Sequence, residues 1–302
     1  MRKKKTVIVL SNDKALYNIR YRRYLLEKLK NHYGEFFVSF GTVESFFRLI
    51  QMLCFVIQGA IVVSSNLKTN VISLLLFSRG VLILNGLGRH QKSTIFRRLF
   101  ICGVLLNRSR KIFFVQRYRD YRWLRRFIKD IQIHWMKGSG AEPLKATELK
   151  TPDTYLLISR PEKLKLLEKN LMEAAKKLGI KKLLIYGVNP GYQFQEEPDI
   201  TVLFKGYVEP STFFFQCKNF LQVDGYGEGF PHTLAYALCS KTKIVIDKRL
   251  SRSLGIYRLP VKRTNIGNGF ERLEPYPEVV EILSNKIVYQ GIISQVEGLV
   301  NV

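Results

Sequence analysis

The chain has 302 residues, a length that suits one large α/β domain or two domains of about 150 residues each. Apolar residues make up 46% of it, which excludes the disordered and fibrous classes. Lys and Arg number 49 against 24 Asp and Glu, a net charge of +25, so the partner or surface it meets is expected to be anionic.

The excess sits in one half. Residues 1–150 carry 29 Lys/Arg and 8 Asp/Glu, a net of +21, and the remainder carries 20 and 16, a net of +4. No acidic residue occurs between Glu44 and Asp120. One half is cationic and the other close to balanced, which points to two domains with different tasks. The four cysteines, Cys54, Cys102, Cys217 and Cys239, are widely spaced and form no C-x-x-C. Neither a zinc site nor a disulfide framework is supported, and a reducing compartment is expected.

In chain order, Arg2-Lys3-Lys4-Lys5 precedes an apolar run of only about five residues, too short for a signal sequence, so Thr6–Leu10 reads as a first buried strand. Further strands are expected at Glu35–Ser39, Ala60–Ser64, Gly80–Leu84 and Lys111–Val115, with basic amphipathic helices between them at Tyr17–Lys30 and Thr94–Leu106. Residues 49–67 carry no charge and approach the length of a membrane helix. Gln51, Gln58, Gly59, Ser64, Ser65 and Asn66 interrupt the run, which reads as helix, turn and strand. A polar stretch at Gly138–Pro152 is the natural linker.

The alternation then restarts. Strands are expected at Tyr155–Ser159, Lys182–Gly187, Thr201–Phe204, Asn219–Val223 and Lys243–Ile246, with a helix over Leu164–Leu178. The expectation is α/β with two Rossmann-like domains facing a cleft: a strongly basic one over 1–145 and a second over 150–302. Ligands of such sheets bind at the carboxyl ends of the strands.

The most informative segment is Gly225-Tyr226-Gly227-Glu228-Gly229-Phe230-Pro231-His232, lying between two expected strands. Glycines let the backbone turn tightly beside a ligand. Pro231 suits the first turn of a helix, and a helix start aims N–H groups and a positive dipole end at an anion. Glu228 would accept hydrogen bonds from sugar or ribose hydroxyls. A plain Gly/Pro loop with a solvated glutamate is the competing reading.

Glu228-Gly229-Phe230-Pro231, followed by a helix and a strand, resembles the nucleotide-binding signature of the GT-B glycosyltransferases, family 4 in particular. Ile158-Ser159-Arg160-Pro161-Glu162-Lys163-Leu164-Lys165 resembles that family's strand-end Arg with a Lys five residues on. The resemblance implies that Arg160 and Lys165 hold the donor diphosphate. Phe204-Lys205-Gly206-Tyr207-Val208 resembles the strand-plus-glycine element that comes earlier in the family's second domain. Leu84-Asn85-Gly86-Leu87-Gly88-Arg89 resembles the loop of bacterial members that build capsule, lipopolysaccharide O-antigen and related polysaccharides, and Ser64-Ser65-Asn66-Leu67-Lys68 the loop before it. Lys137-Gly138-Ser139-Gly140 resembles the segment closing the family's first domain. Gly86, Gly88 and Lys68 are thereby candidates on the acceptor side, and Glu228, Gly229, Phe230, Pro231, Tyr236 and Gly206 on the donor side.

The pattern departs in two places, one being the glycine-rich loop that follows the next strand in the family, where this chain has Ile246-Asp247-Lys248-Arg249-Leu250-Ser251. The second glutamate of the family's E-x7-E stands as Tyr236, which can exchange a hydrogen bond but supplies no charge. The last 50 or so residues match nothing in the family.

The resemblance implies transfer of a sugar from a nucleotide-sugar donor to a cell-surface glycan or lipid-linked acceptor, with retention of configuration. No metal and no cofactor are expected: D-x-D is absent, and cations with helix N-termini can stabilise the leaving diphosphate. No catalytic base is assigned. Taken singly, Arg160 and Lys165 also read as surface charges, Gly86 and Gly88 as a structural turn, Lys68 as solvated, His232 as a cap, and Asp120 as an ion-pair partner.

In the cationic half, Arg117-Tyr118-Arg119-Asp120-Tyr121-Arg122-Trp123-Leu124-Arg125-Arg126 interleaves arginines with aromatics. That composition fits an anionic lipid interface, where each cation contributes roughly 1 kcal/mol, and also fits nucleic-acid phosphates. The expected place is cytoplasmic, peripheral on the inner face of a membrane. A basic nucleic-acid-binding protein and a catalytically weakened GT-B partner subunit are the alternatives. Nucleic acid is disfavoured because the ordered motifs lie in the balanced half.

Overall fold

The computed structural model describes residues 6–11, 23–33, 37–39, 44–87, 90, 93–129, 131–138, 140–142, 151–194, 197–208, 217–223, 229–240 and 242–301. In chain order these form β1 (Val7–Ser11), α1 (Arg23–Tyr33), β2 (Phe37–Ser39), α2 (Glu44–Ile57), β3 (Ile61–Ser65), α3 (Leu67–Leu75), β4 (Gly80–Leu84), α4 (Thr94–Leu106), β5 (Lys111–Val115), α5 (Tyr118–Phe127) and β6 (Ile133–Trp135). There follow β7 (Thr151–Ile158), α6 (Pro161–Lys177), β8 (Lys182–Tyr186), β9 (Thr201–Phe204), β10 (Cys217–Gln222), α7 (His232–Cys239), β11 (Lys243–Asp247), α8 (Lys248–Leu254), β12 (Val261–Gly267), β13 (Phe270–Pro275), α9 (Glu278–Ile282) and α10 (Asn285–Asn301). The expected alternation is present. Residues 49–67 are helix, turn and strand, and no described helix is long and apolar enough to cross a membrane.

The chain divides into two compact units: 1–140 with 227–230 and 285–302, and 141–226 with 231–284. In the first, six parallel strands run in the order β2-β1-β3-β4-β5-β6. β3, β4 and β5 are buried along their whole length, as runs such as Ile61-Val62-Val63 require when helices cover both faces. Alternate side chains of β1 show the two layers. Val7 and Val9 pack with Leu25 and Leu29 of α1 and Val288, Tyr289, Ile292 and Val296 of α10. Ile8 and Leu10 pack with Met52 of α2. Leu74, Phe100, Val104 and Leu124 of α3, α4 and α5 cover Leu82, Leu84, Phe113 and Val115.

The expected boundary of the second domain, 150–302, differs from this division. Residues 285–302 join the first unit because α10 carries an apolar stripe at helical spacing that completes the layer beside α1. Gly140, in the left-handed region at φ 78°, lies where a side chain would run into Asn285 and Tyr289. A pattern search for strands and helices registers such a stripe but not the sheet that receives it.

The second unit has the order β12-β13-β11-β10-β7-β8-β9. Five strands are parallel, and the hairpin β12–β13 adds two antiparallel strands at one edge. Its core joins Leu164, Leu167, Leu171 and Ala175 of α6 to Leu157, Leu183, Ile185, Leu221 and Val245 of the sheet.

Candidate functional site

The second unit has one topological switch. From β7 the chain moves outward to β8 and β9, then returns to place β10 on the other side of β7. β7 and β10 are therefore neighbours at the switch, and ligands of such sheets bind at the carboxyl ends of the strands there. β7 is followed by Ser159 and Arg160, and β10 by Val223, the loop to Pro231, and α7. Topology alone thus brings Arg160 and Val223 to the ends of adjacent strands.

The helices after these strands share a feature. α6 begins at Arg160 and α7 at Pro231, and neither N-cap supplies a side-chain acceptor. Ser93 accepts from the Phe96 N–H at 3.2 Å to cap α4 and Asp247 accepts from Arg249 and Leu250 at 2.7 and 3.0 Å to cap α8, while α3, α5 and α9 lack a side-chain cap as α6 and α7 do. At the start of α6 Pro161 has no N–H and the Lys163 N–H donates to the Arg160 carbonyl at 3.1 Å, so what the helix start offers an anion is its dipole and the Arg160 side chain. Arg160 and Lys165 are exposed, and neither forms an ion pair with a carboxylate among the described residues. Glu162 lies in the same first turn of α6.

The remaining candidates are placed as follows. Gly206 exchanges backbone hydrogen bonds with the ends of β8 and β9: the Gly187 N–H donates to its carbonyl at 2.7 Å, and its own N–H to Val188 at 3.0 Å. It stands two strands from the switch and ties strand ends together. Pro231 occupies the N-cap of α7, one position before the first turn expected for it. Glu228 and Gly88 lie outside the described residues.

Tyr236 lies one turn into α7. Its ring meets that of His232 edge-on at 4.7 Å. The phenol has a backbone hydrogen bond with Glu142, and burial, then the Glu142 charge, raise its pKa. At position 236, where the resemblance leads one to expect a carboxylate, the chain has a phenol hydrogen-bonded to the backbone of residue 142. Burial and the same glutamate push the Cys239 thiol up to about 12, which leaves it inert as a nucleophile.

The first unit collects its candidates at the matching rim. Its sheet reverses between β1 and β3. Asn66, at φ 85°, follows β3, and its side-chain oxygen accepts from Asn85 at 3.2 Å. Gly86 follows at φ 151°, a backbone open to glycine. Asn70 donates to the Ile83 carbonyl at 2.9 Å, joining α3 to β4. Gly229 and Phe230 are buried in this unit, and a side chain at 229 would collide with the Asn85 carbonyl and the Gln116 amide oxygen. The glycine at 229 is thus required by close backbone approach. Lys68 is exposed in the first turn of α3.

Asp120 was missed as a rim residue. It is buried beside the Leu87 backbone, and burial raises its carboxyl pKa against the pull of Arg117, the Leu87 bond, Arg119 and Arg97. An acid one turn after a strand end, in a segment otherwise free of acids, was the available signal.

No family model and no curated protein matches the chain. Solved structures do. Anabaena HepE, in complex with UDP, aligns over 98% of this chain and 97% of its own, with a TM-score of 0.51 and 11% identity. TarM aligns over 80% of this chain and 51% of its own, with a TM-score of 0.48 and 13% identity. The chain thus spans about half the length of TarM. The spinosyn forosaminyltransferase SpnP aligns over 99% of this chain and 95% of its own, with a TM-score of 0.42 and 12% identity. The fold is that of the GT-B glycosyltransferases, with two Rossmann-like units.

Proposed function

We propose that the protein is a glycosyltransferase that takes its sugar from a nucleoside diphosphate carrier. The observation that carries this reading is the exposed Arg160, which directly follows one of the two strands at the sheet's switch and makes no ion pair among the described residues. A diphosphate needs such a place. Arg160 offers a planar fork to two phosphate oxygens, Lys165 a mobile point charge, and the helix starts a positive dipole end.

In the reaction, the bond from the anomeric carbon to the β-phosphate oxygen breaks and its electrons stay on the phosphate. The charge that develops there is held by Arg160, Lys165 and the two dipoles, without a metal. The acceptor hydroxyl forms the new bond on the same face, and its proton passes to the departing phosphate oxygen, so configuration is retained. Glu228 and Tyr236 are assigned to donor hydroxyls, and the Asn66–Gly86–Lys68 rim to the acceptor. That acceptor is a growing capsule, lipopolysaccharide or related glycan, or its lipid-linked form, in a bacterial cytoplasm.

Isothermal titration with UDP and other nucleoside diphosphates tests the donor site. UDP, the nucleotide held by HepE, is the first choice. We expect binding that weakens ten- to a hundredfold in Arg160→Ala, the loss of a charge-assisted contact. No binding by any nucleotide, or equal binding by the variant, overturns the reading. Binding without turnover of any nucleotide sugar would instead select the weakened partner subunit, which the neutral Tyr236 favours. The nucleic-acid reading loses its stacking surface: Tyr118 is buried, and Trp123 is half-buried with the Arg97 guanidinium 4.7 Å over its ring.

A further inference from the structure

The side of the first unit formed by α2, α3, α4 and α5 has an unusual exterior. Each of these helices turns one stripe onto the sheet. A soluble helix so placed shows charge on its opposite face. Here α4 shows Ile95, Leu99, Cys102 and Leu106, at successive spacings of four, three and four residues, which is one straight line along the helix. Ile95 is 74%, Leu99 66% and Leu106 67% exposed. α2 shows Ile50, Cys54 and Ile57 in the same way, and Ile57 is 84% exposed. Between them α3 ends on Leu75, 71% exposed. The three helices connect β2 to β3, β3 to β4 and β4 to β5 in turn, so they lie side by side on one face of the sheet.

The charge of this face has one sign. No Asp or Glu occurs from residue 45 to 119, and Asp120 is buried. Arg98, Arg108, Arg110, Arg119, Arg122 and Arg126 are exposed around the apolar stripes. An apolar layer that is parallel to a sheet, rimmed by arginines and without an acidic residue from 45 to 119, Glu44 at the start of α2 lying just outside that span, matches one solvent: the headgroup boundary of an anionic bilayer. Apolar side chains enter the acyl region there while guanidinium groups meet lipid phosphates. A second copy of the same face would bring arginine rims together, at a cost in like-charge repulsion.

We propose that the α2–α3–α4 face of the first unit is a docking surface for anionic phospholipid bilayers. The apolar stripes of α2 and α4 insert, and the surrounding arginines supply attraction. Of the α5 aromatics, Tyr118 is buried, Tyr121 and Trp123 are half-buried, and Phe127 is exposed. The inference is independent of the transferase reading.

Co-flotation with phosphatidylcholine vesicles, with and without phosphatidylglycerol, tests it in the full chain. The protein is expected to float with the anionic vesicles and to stay behind with the neutral ones. Ile57→Glu combined with Leu99→Glu is expected to lower the bound fraction about tenfold with the melting temperature unchanged, since both side chains are exposed. Anionic vesicles should also protect Cys102 from a membrane-impermeant maleimide. Failure of the unaltered protein to float, or flotation of the double variant like the parent, overturns the proposal. Self-association abolished by the double variant, with no vesicle binding, overturns it in favour of a second copy.

Discussion

The two units use the same construction, a parallel sheet reversing once, yet they treat charge in opposite ways. The second unit balances its cations internally. Arg263 meets Glu271 at 2.7 Å, Lys176 meets Glu197 at 2.6 Å, and Glu274 lies within 3.6 Å of Lys243 and 4.0 Å of Lys262. In the first unit Arg23 pairs with Glu27 on exposed α1, at 2.7 Å. Where cations have internal partners, an Arg160 with no ion pair among the described residues stands out as a candidate for a ligand. Where no acid occurs from 45 to 119, the cations have no local partner to neutralise them. The lesson is that net charge alone does not separate these cases, and pairing does.

The comparison breaks first at α10. Ile292 is fully buried in the first unit's core, so Ile292→Ala should cost about 2–5 kcal/mol in denaturant unfolding. If the second unit's core depended equally on α10, both units would lose stability together. The expected outcome is selective loss, read by hydrogen exchange in β3 and β4 but not in β8 or β10.

Lys111 sharpens the contrast next, as a cation with no carboxylate. Its Nζ donates to Ser73 and Ser78 at 2.7 Å each, and burial lowers its pKa from 10.5 to about 7. The folded pKa is below the unfolded one, so between these values the unfolded chain binds more protons. Stability from this group therefore rises with pH across that window and is lost as pH falls toward 7, by at most about 1.4 kcal/mol per pH unit. Lys111→Met should flatten that part of the curve of unfolding free energy against pH. An unchanged slope would show the amine charged in the fold.

Smaller effects concern the second unit. Lys165→Ala should weaken nucleoside diphosphate binding by about 1 kcal/mol, less than Arg160→Ala, because a point charge on a flexible stem loses less than a bidentate fork. Equal losses in titration would erase the distinction. Smallest of all, Lys176→Ala removes an ion pair whose lysine is 57% exposed, and should move the unfolding free energy by about 0.2–1 kcal/mol, less at high salt.

Much of this was legible in the sequence. Gly80–Leu84, Lys111–Val115, Thr94–Leu106 and Thr201–Phe204 have the bounds their patterns predict, because each is an unbroken apolar or periodic run between turn residues. The hairpin β12–β13 was overlooked, although Gly267-Asn268-Gly269 between two alternating runs is a turn signal; all three residues have positive φ. Tyr236 was legible as a departure from a motif, but its hydrogen bond with Glu142 was not, since 94 positions separate them in the chain.

The sequence by itself determined the layer architecture and the uneven charge, because periodicity and composition are local properties that survive any arrangement of the elements. Tertiary structure decided three things. It returned α10 to the first sheet, placed Arg160 beside the end of β10, and chose which apolar stripes face water. Each depends on which strand lies next to which, and strand order is fixed by long-range pairing that no local pattern encodes.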